Sequence, residues 1–542
     1  MNHLRSLLFF LAVCTAGRAA SQTIKPYLQT ATPTSIYVNW KTETGDNPTV
    51  RYGTRPDALD QTAHGHTEDL EPKDSDYLTP YHYHGVKLTG LAPSTGYYYR
   101  ARSGAADSSA LHYFRTPPER GDTTALLRII ALGDHQVLEY EGQPYHKYDE
   151  LVAAAKAKAE ALYGTPLAEH FNLIMNDGDQ VDLGKLEHYE KIHFRKSSPL
   201  THELPLITAV GNHEHYGDTY AGGPLEAYYD HFVLDEGLTY AGIDSGNERY
   251  YAYQLANVLF VVLDTEDDTA PQVEWLESIV AAAAEDPGVG WIISIGHRPY
   301  QAEQYADDYS AWYGEAALPL LERTDKFALH VAGHHHLYAR GQFTDHPGYH
   351  LISGGTAWPQ YWGDSELELD RAETQLSWSN FAYQLIQIDN EHDELWVRSY
   401  TIGSLDSTKD NTLLDEFRYR RGLPAPRQPT LRRADESLRG GDFYSEAALP
   451  LNSSQFQLAA DPEFTEPAVD TLRHRENWFG RLPGRRDETT NIGEGYGITR
   501  LLLSDLDLAP GTYYARLRYR DDNLGWSPWS ETLSVRIEDA RR

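Results

Sequence analysis

Five apolar stretches in the middle of this chain run into a glycine and then into an oxygen or imidazole side chain. Residues 126–132 lead to Gly133-Asp134-His135-Gln136, and 171–175 lead through Asn176-Asp177 to Gly178-Asp179-Gln180-Val181-Asp182. Residues 204–210 lead to Gly211-Asn212-His213-Glu214, 291–295 to Gly296-His297-Arg298-Pro299, and 327–332 to Gly333-His334-His335-His336. Each motif alone reads as a turn or a surface loop. Five in succession, all carrying Asp, Asn or His, read as a metal site. Carboxylate, carboxamide and imidazole donors suit Mn, Fe and Zn, and two such ions can share one carboxylate. Such a pair activates a bridging water and neutralises the charge that develops on a phosphoryl group.

The elements that position these residues follow from the same pattern. Apolar runs that suit buried strands alternate with helical stretches at 148–163 and 272–284, which predicts a layered α/β domain with mixed sheets over 125–402. Residues 382–388 and 394–400 form a hairpin around Asn390-Glu391 in this reading. Strand ends in layered sheets converge on one edge, and glycine lets the backbone turn there without strain. Side chains just past the glycines then meet around a common point. Before this domain, 22–118 reads as a small β-sandwich of short strands with turn residues between them, closed by the linker Pro117-Pro118. After it, 403–428 reads as a charged, irregular linker. Residues 429–540 then read as a second sandwich of fibronectin type III type, ending on 511–519 and Trp526-Ser527-Pro528-Trp529-Ser530.

Composition bounds the partners. A chain of 542 residues needs more than one hydrophobic core. Its 80 acidic against 47 basic residues give a net charge of −33, which argues against nucleic acid or an anionic membrane as the main partner. Arg5, the apolar run 7–15 and the small residues 19–21 have the layout of a signal peptide over 1–21, too short to span a bilayer. The protein is therefore expected to be exported, to a periplasm, a cell surface or the medium, with no transmembrane segment. The single cysteine, Cys14, lies inside that run. Val13 is a poor residue before a lipid-anchored start, and removal of 1–21 leaves no thiol for a disulfide or a metal.

The order Asp, Gly-Asp, Gly-Asn-His-Glu, Gly-His, Gly-His-x-His resembles that of the calcineurin-like metallophosphoesterases, and within them the purple acid phosphatases. Gly333-His334-His335-His336-Leu337-Tyr338-Ala339-Arg340 is similar to the last motif of that branch. Residues 83–91 are similar to its fibronectin-like leader domain. The resemblance covers about 24–402 and implies a two-sheet sandwich flanked by helices, with β-sandwich domains before and after it. It implies a first metal held by Asp134, Asp179 and His336, and a second by Asp179, Asn212, His297 and His334. Asp179 would bridge, and His213 would protonate the leaving alkoxide, with Glu214 orienting it. The implied activity is hydrolysis of small phosphomonoesters by a hydroxide bridging two ions of Fe, Mn or Zn. One rival is a phosphodiesterase or nucleotidase using the same site. Another is a non-catalytic surface or adhesion protein with a structural metal site, against which the free His213 argues.

Some positions stand apart. Asp182 occupies the place of the metal-bound Tyr of the purple enzymes and reads as a residue behind the ligands. Gln136 either donates its carbonyl oxygen to the first metal or faces the pocket. The stretch 298–310 lacks the substrate-contacting histidines of the plant-type enzymes. His64, His66, His82 and His84 read as surface or packing residues, and His188, His193 and His202 have no partner spacing. His135 and His215 flank ligands as candidates for phosphate contact, and His335 is expected to face away from the metals. With Asp182 in place of Tyr, the metal-loaded protein should be colourless. A visible spectrum of the iron-loaded protein checks this, and an intense tyrosinate-to-iron band would overturn it.

Overall fold

A computed structural model of the chain describes residues 22–72, 79–104, 108–137, 147–217, 219–220, 222–234, 239–301, 309–357, 373–405, 407–434, 437–441, 451–474, 498–504, 506–521 and 523–538. The expected signal peptide over 1–21, with Cys14, lies outside the described residues.

Two large sheets face each other. One has ten strands, and its centre is the parallel set Leu126–Leu132, Leu173–Asn176 and Pro205–Thr208. The other has seven, and its centre is the parallel set Val258–Val262, Trp291–Ile295, Phe327–Ala332 and Tyr349–Ile352. The continuous apolar runs are explained by burial on both faces. Along Val258–Val262, Phe260 and Val262 point into the core between the sheets. Leu259 and Val261 point the other way, under the helix Ala270–Glu285 and its Leu276, Ile279 and Val280. The helix Tyr148–Tyr163 buries Leu151, Val152, Ala155 and Ala159 against the ten-stranded sheet. The fold is an α/β two-sheet sandwich flanked by helices.

The expected hairpin forms, with Phe381–Asp389 paired to Glu394–Gly403. The expected linker over 403–428 needs correction. Thr408–Arg420 is a strand that pairs with Glu394–Gly403 and closes one edge of the ten-stranded sheet. Its charges look irregular in sequence because the first half of the strand, 408–413, is mostly exposed. Charge on an outermost strand protects it from edge-to-edge pairing.

The N-terminal strands are joined to this sheet rather than tethered to it. Gln22–Thr32 pairs on one side with Ser35–Thr42 and on the other, in parallel, with Pro205–Thr208. Beyond Ser35–Thr42 the same sheet continues through Tyr81–Thr89 and His66–Leu70. A four-stranded sheet of Gln61–His64, Thr49–Gly53, Gly96–Arg102 and His112–Arg115 covers it, around a core with Trp40 and Tyr99 at its centre. The buried Lys41 ammonium lies 2.9 Å from Glu190 and ties the two parts together.

Near the C-terminus, sheets of three and four strands share a core built on Phe456, Leu517 and Tyr519. Here the Trp526–Ser530 sequence has a structural purpose. The Ser527 and Ser530 hydroxyls accept the backbone N–H groups of Tyr519 and Leu517 at 2.9 and 3.0 Å. Arg518 stacks between Trp526 and Trp529, 4.2 and 4.6 Å from their ring centres.

Candidate metal centre

The five glycine motifs come together where the carboxyl ends of the two central parallel sets meet. Asp134 and Asp179 follow strands of the ten-stranded sheet, and Asn212 opens the short helix that follows its neighbour Pro205–Thr208. His297, His334 and His336 follow strands of the facing sheet. One donor atom from each of Asp134, Asp179 and His336 lies within 4.8 Å of the others, and the same holds for Asp179, His297 and His334. Asp179 belongs to both groups. Asn212 Oδ1 completes the second, 2.9 Å from His334 Nδ1 and 3.1 Å from His297 Nε2.

These spacings test whether ions fit. Donors bonded to one ion at about 2.1 Å sit about 3.0–3.4 Å apart in octahedral or tetrahedral geometry. The Nε2 of His297 is 3.2 Å from Asp179 Oδ2, and that of His336 is 3.4 Å from Asp134 Oδ1. The donors are therefore spaced as edges of coordination polyhedra, and their types fit Mn, Fe or Zn.

Electrostatics points the same way. Asp134, Asp177, Asp179 and Glu214 are all buried. Burial pushes the Asp134 carboxyl well above the usual range and Asp177 up to about 6. Burial, with the Asp179 charge beside it, pushes Glu214 up to about 7. Asp179 is the exception: burial opposes its charge, but the imidazoles of His297 and His213 hold its pKa low. Burial likewise opposes charge on His297, yet Asp179 holds its pKa above the ordinary value. Burial lowers His336 to about 3, which leaves its ring neutral and able to donate a lone pair. So much buried negative charge calls for cations.

The turns differ from the expectation that glycine relieves their strain. Asp134, Asp179 and His334 themselves have φ of 52°, 52° and 67°, in the left-handed region. Of the five motif glycines only Gly178, at φ 103°, has a positive φ. The others give room. A Cβ on Gly211 would run into the Asp179 carboxylate, and one on Gly333 into that of Asp134. The strained residues are held by backbone bonds: the His334 N–H donates to both Asp134 oxygens at 2.8 and 2.9 Å. The His213 N–H donates to Asp179 Oδ1 at 3.0 Å, which leaves Oδ2 for the donor groups.

Glu214 does not orient His213, as its position next to it implied. Its carboxylate accepts the N–H groups of Gly211, Asp179 and Gln180 at 2.7, 2.9 and 2.8 Å, and so clamps two ligand turns together. His213 is held instead by the Asp182 carbonyl, which accepts its Nδ1–H at 2.8 Å. Its Nε2 is left facing the site, 3.8 Å from Asp179 Oδ2. The Asp182 carboxylate accepts the Tyr220 hydroxyl at 2.9 Å. His135 is no phosphate contact: it is buried, stacked on Tyr148, with Nε2 2.8 Å from Nδ1 of His193. That contact also gives His193 the partner its sequence position did not reveal. His215 turns to Asp264, 3.4 Å away, which also pairs with Arg249. His335 is buried, its ring centre 5.5 Å from that of His334.

Three supporting residues escaped the sequence reading. The Asp177 carbonyl accepts the His297 Nδ1–H at 2.9 Å, fixing the ring with Nε2 toward the site. The Thr265 hydroxyl accepts the N–H groups of His297 and Arg298 at 3.0 and 2.8 Å, and the Thr356 hydroxyl accepts that of Gly133 at 3.0 Å. Leu263-Asp264-Thr265 was a visible signal, a further apolar run ending in polar residues. Thr356 carries no such mark.

Gly333→Ala places its Cβ against the Asp134 carboxylate. If Asp134, Asp179 and His336 hold an ion, the substitution should lower bound metal while leaving the far-ultraviolet circular dichroism unchanged. Metal analysis after gel filtration checks this, and full occupancy would show that the carboxylate can move aside.

Residues 22–116 match the family described as Purple acid Phosphatase, N-terminal domain, and 127–338 match Calcineurin-like phosphoesterase. Purple acid phosphatase 15 of Arabidopsis thaliana is 26% identical over 315 residues, covering 52% of this chain and 56% of that protein. Probable purple acid phosphatase 20 of the same plant is 22% identical over 323 residues, covering 57% and 66%. The chain thus spans about half to two thirds of these relatives. Among solved structures, purple acid phosphatase PPD1 of yellow lupin superposes with a TM-score of 0.58 at 17% identity, covering 72% of this chain and 73% of that one. PhoD gives 0.52 at 13%, covering 79% and 93%. These two likenesses establish the fold. The two family matches show a calcineurin-like phosphoesterase domain preceded by a purple acid phosphatase N-terminal domain.

Proposed function

We propose that this chain is an exported phosphatase that hydrolyses small phosphomonoesters at a binuclear metal centre. The observation that carries the reading is the shared Asp179, which faces one donor group on each side with the His213 ring beside it. Asp134, Asp179 and His336 would hold one ion, and Asp179, Asn212, His297 and His334 the other, with Fe, Mn or Zn as the metals that suit these donors. When bound, the pair would supply an activated water and neutralise charge on the phosphoryl oxygens.

The chain's own residues do the rest. The Asp182 carbonyl keeps the proton of His213 on Nδ1 and turns Nε2 inward. In its protonated form that Nε2 is placed to give a proton to the leaving oxygen. Arg298, with Nη1 3.0 Å from His334 Nε2, adds positive charge next to the second group. Glu266, 2.8 Å away, limits its swing. Export is supported by the layout of 1–21; no described helix is long and apolar enough to cross a membrane.

Turnover of para-nitrophenyl phosphate and of its bis-ester, with Mn, Fe or Zn added, tests the reading. Monoester turnover that dominates supports it. Dominant diester turnover would make the protein a phosphodiesterase, and no turnover with metal bound would leave a structural site. Asp179→Asn should abolish activity and strongly lower bound metal, because one charge serves both groups. Near-normal metal and turnover would remove Asp179 from the bridging role. His213→Ala should lower kcat by ~10²–10⁴-fold with metal content unchanged. The loss should be greater for alkyl phosphates than for para-nitrophenyl phosphate, whose leaving group is already a stable anion. An even loss across leaving groups would sink the acid role.

A further inference from the structure

We propose that Gln136 is a protein donor to the first ion, its carboxamide oxygen joining Asp134, Asp179 and His336, so that each ion has four protein donors, one of them a neutral amide. The inference rests on the binuclear reading.

The terminal amide of Gln136 lies at the first donor group, not in the general lining of a pocket. The side chain is buried, with its Nε2 position 2.8 Å from His336 Nε2 and 3.3 Å from Asp179 Oδ2. Those two separations fall close to the edge lengths, about 3.0–3.4 Å, expected between neighbouring donors of one ion. The amide thus sits at donor spacing from two of the three members of the group.

The orientation of the amide is decided by what fills the space between the donors. With nothing but lone pairs there, the –NH₂ points at them and donates, and Oε1 is buried without a hydrogen bond among the described residues. An ion between Asp134, Asp179 and His336 takes up those lone pairs. An –NH₂ would then aim its protons at a cation. The oxygen and nitrogen of a carboxamide are nearly the same in shape, and its last torsion is soft, so a half-turn exchanges them. That half-turn places a carbonyl oxygen, a hard neutral donor, where the nitrogen stood.

The consequence is chemical. The first group then offers two carboxylates, one imidazole and one amide oxygen. The second offers one shared carboxylate, two imidazoles and the Asn212 amide oxygen. With the Asp182 carboxylate bonded to Tyr220, no phenolate or extra carboxylate joins the first group among the described residues. Two nearly matched sets of low anionic charge favour a pair of divalent ions over a mixed trivalent–divalent pair.

The test uses the full chain stripped of metal and titrated with Mn(II) and, separately, Zn(II), with stoichiometry and affinity read by calorimetry and metal analysis. The wild type should bind two ions. Gln136→Ala should weaken one of them by about 10-fold or more and leave the other unchanged. Gln136→Glu is the deciding variant, because a carboxylate supplies the oxygen but cannot donate a hydrogen bond to His336. It should keep the affinity of the wild type or exceed it. Circular dichroism confirms that each variant is folded, and the Co(II)-loaded visible spectrum reports whether the coordination number falls in Gln136→Ala alone. If Gln136→Glu is as weak as Gln136→Ala, the residue acts by donating to His336 and the proposal is overturned. If both variants bind two ions as the wild type does, Gln136 only lines the pocket. If the wild type itself binds no pair of ions, the binuclear reading fails and not this part of it alone.

Discussion

Four buried carboxylates at one seam set the terms for the rest of this structure. Asp134, Asp177, Asp179 and Glu214 sit together with almost no access to water. An unpaired buried charge is among the costliest groups a protein can carry. The fold meets that cost in two ways. Backbone N–H groups are turned onto the carboxylates, three onto Glu214, one onto Asp179 and one shared by both oxygens of Asp134. The oxygens that the backbone leaves over face imidazoles at the spacing of ligands around an ion. The negative seam is therefore at once the main liability of the fold and what would draw cations to it.

Turning backbone amides onto side chains requires unusual turns. Asp134, Asp179 and His334 adopt left-handed φ without being glycine or asparagine. Such strain persists only where surrounding structure over-determines it, and it gathers at functional sites. Here two packed sheets supply the constraint from opposite sides. The glycines beside these residues serve mostly as absent side chains, since a carboxylate passes where a Cβ would be. Glu214 then links the Asp179 turn to the Gly211 turn, so a shift in one is resisted by the other.

The rigidity extends beyond the central fold. The strand Gln22–Thr32 lies beside Pro205–Thr208, the strand that leads to Asn212 and His213. The N-terminal sandwich therefore continues the sheet that carries three of the donor turns. Tyr99 adds to this, its hydroxyl donating to the His202 carbonyl at 2.8 Å, just ahead of that strand. A leader built into the sheet in this way buttresses the site, which is a physical reason for the two parts to occur together.

The residue types at the strand ends, and the apolar runs before them, were enough to single out the candidate donors and a layered α/β domain, while the two-sheet sandwich was implied by the family resemblance. Asp134, Asp179, Asn212, His297, His334 and His336 all lie where the five motifs pointed, because each motif is local and its glycine, turn and donor are adjacent in the chain. The hairpin at 381–403 and the helix at 148–163 were legible for the same reason: periodicity is a property of neighbouring residues. What could not be read depends on contacts between distant segments. The strand at 408–420 exists because Glu394–Gly403 offers it an edge, and in isolation its charges look like a linker. His135 meets His193 across 58 positions, and Gln136 meets His336 across 200. Glu214 looked like a partner for its neighbour His213, yet its lone pairs are taken by backbone from another turn. Local sequence names the groups and the turns that present them. Which lone pair faces which proton is decided only when two sheets bring separate strand ends within about 3 Å, the range over which hydrogen bonds and coordination act.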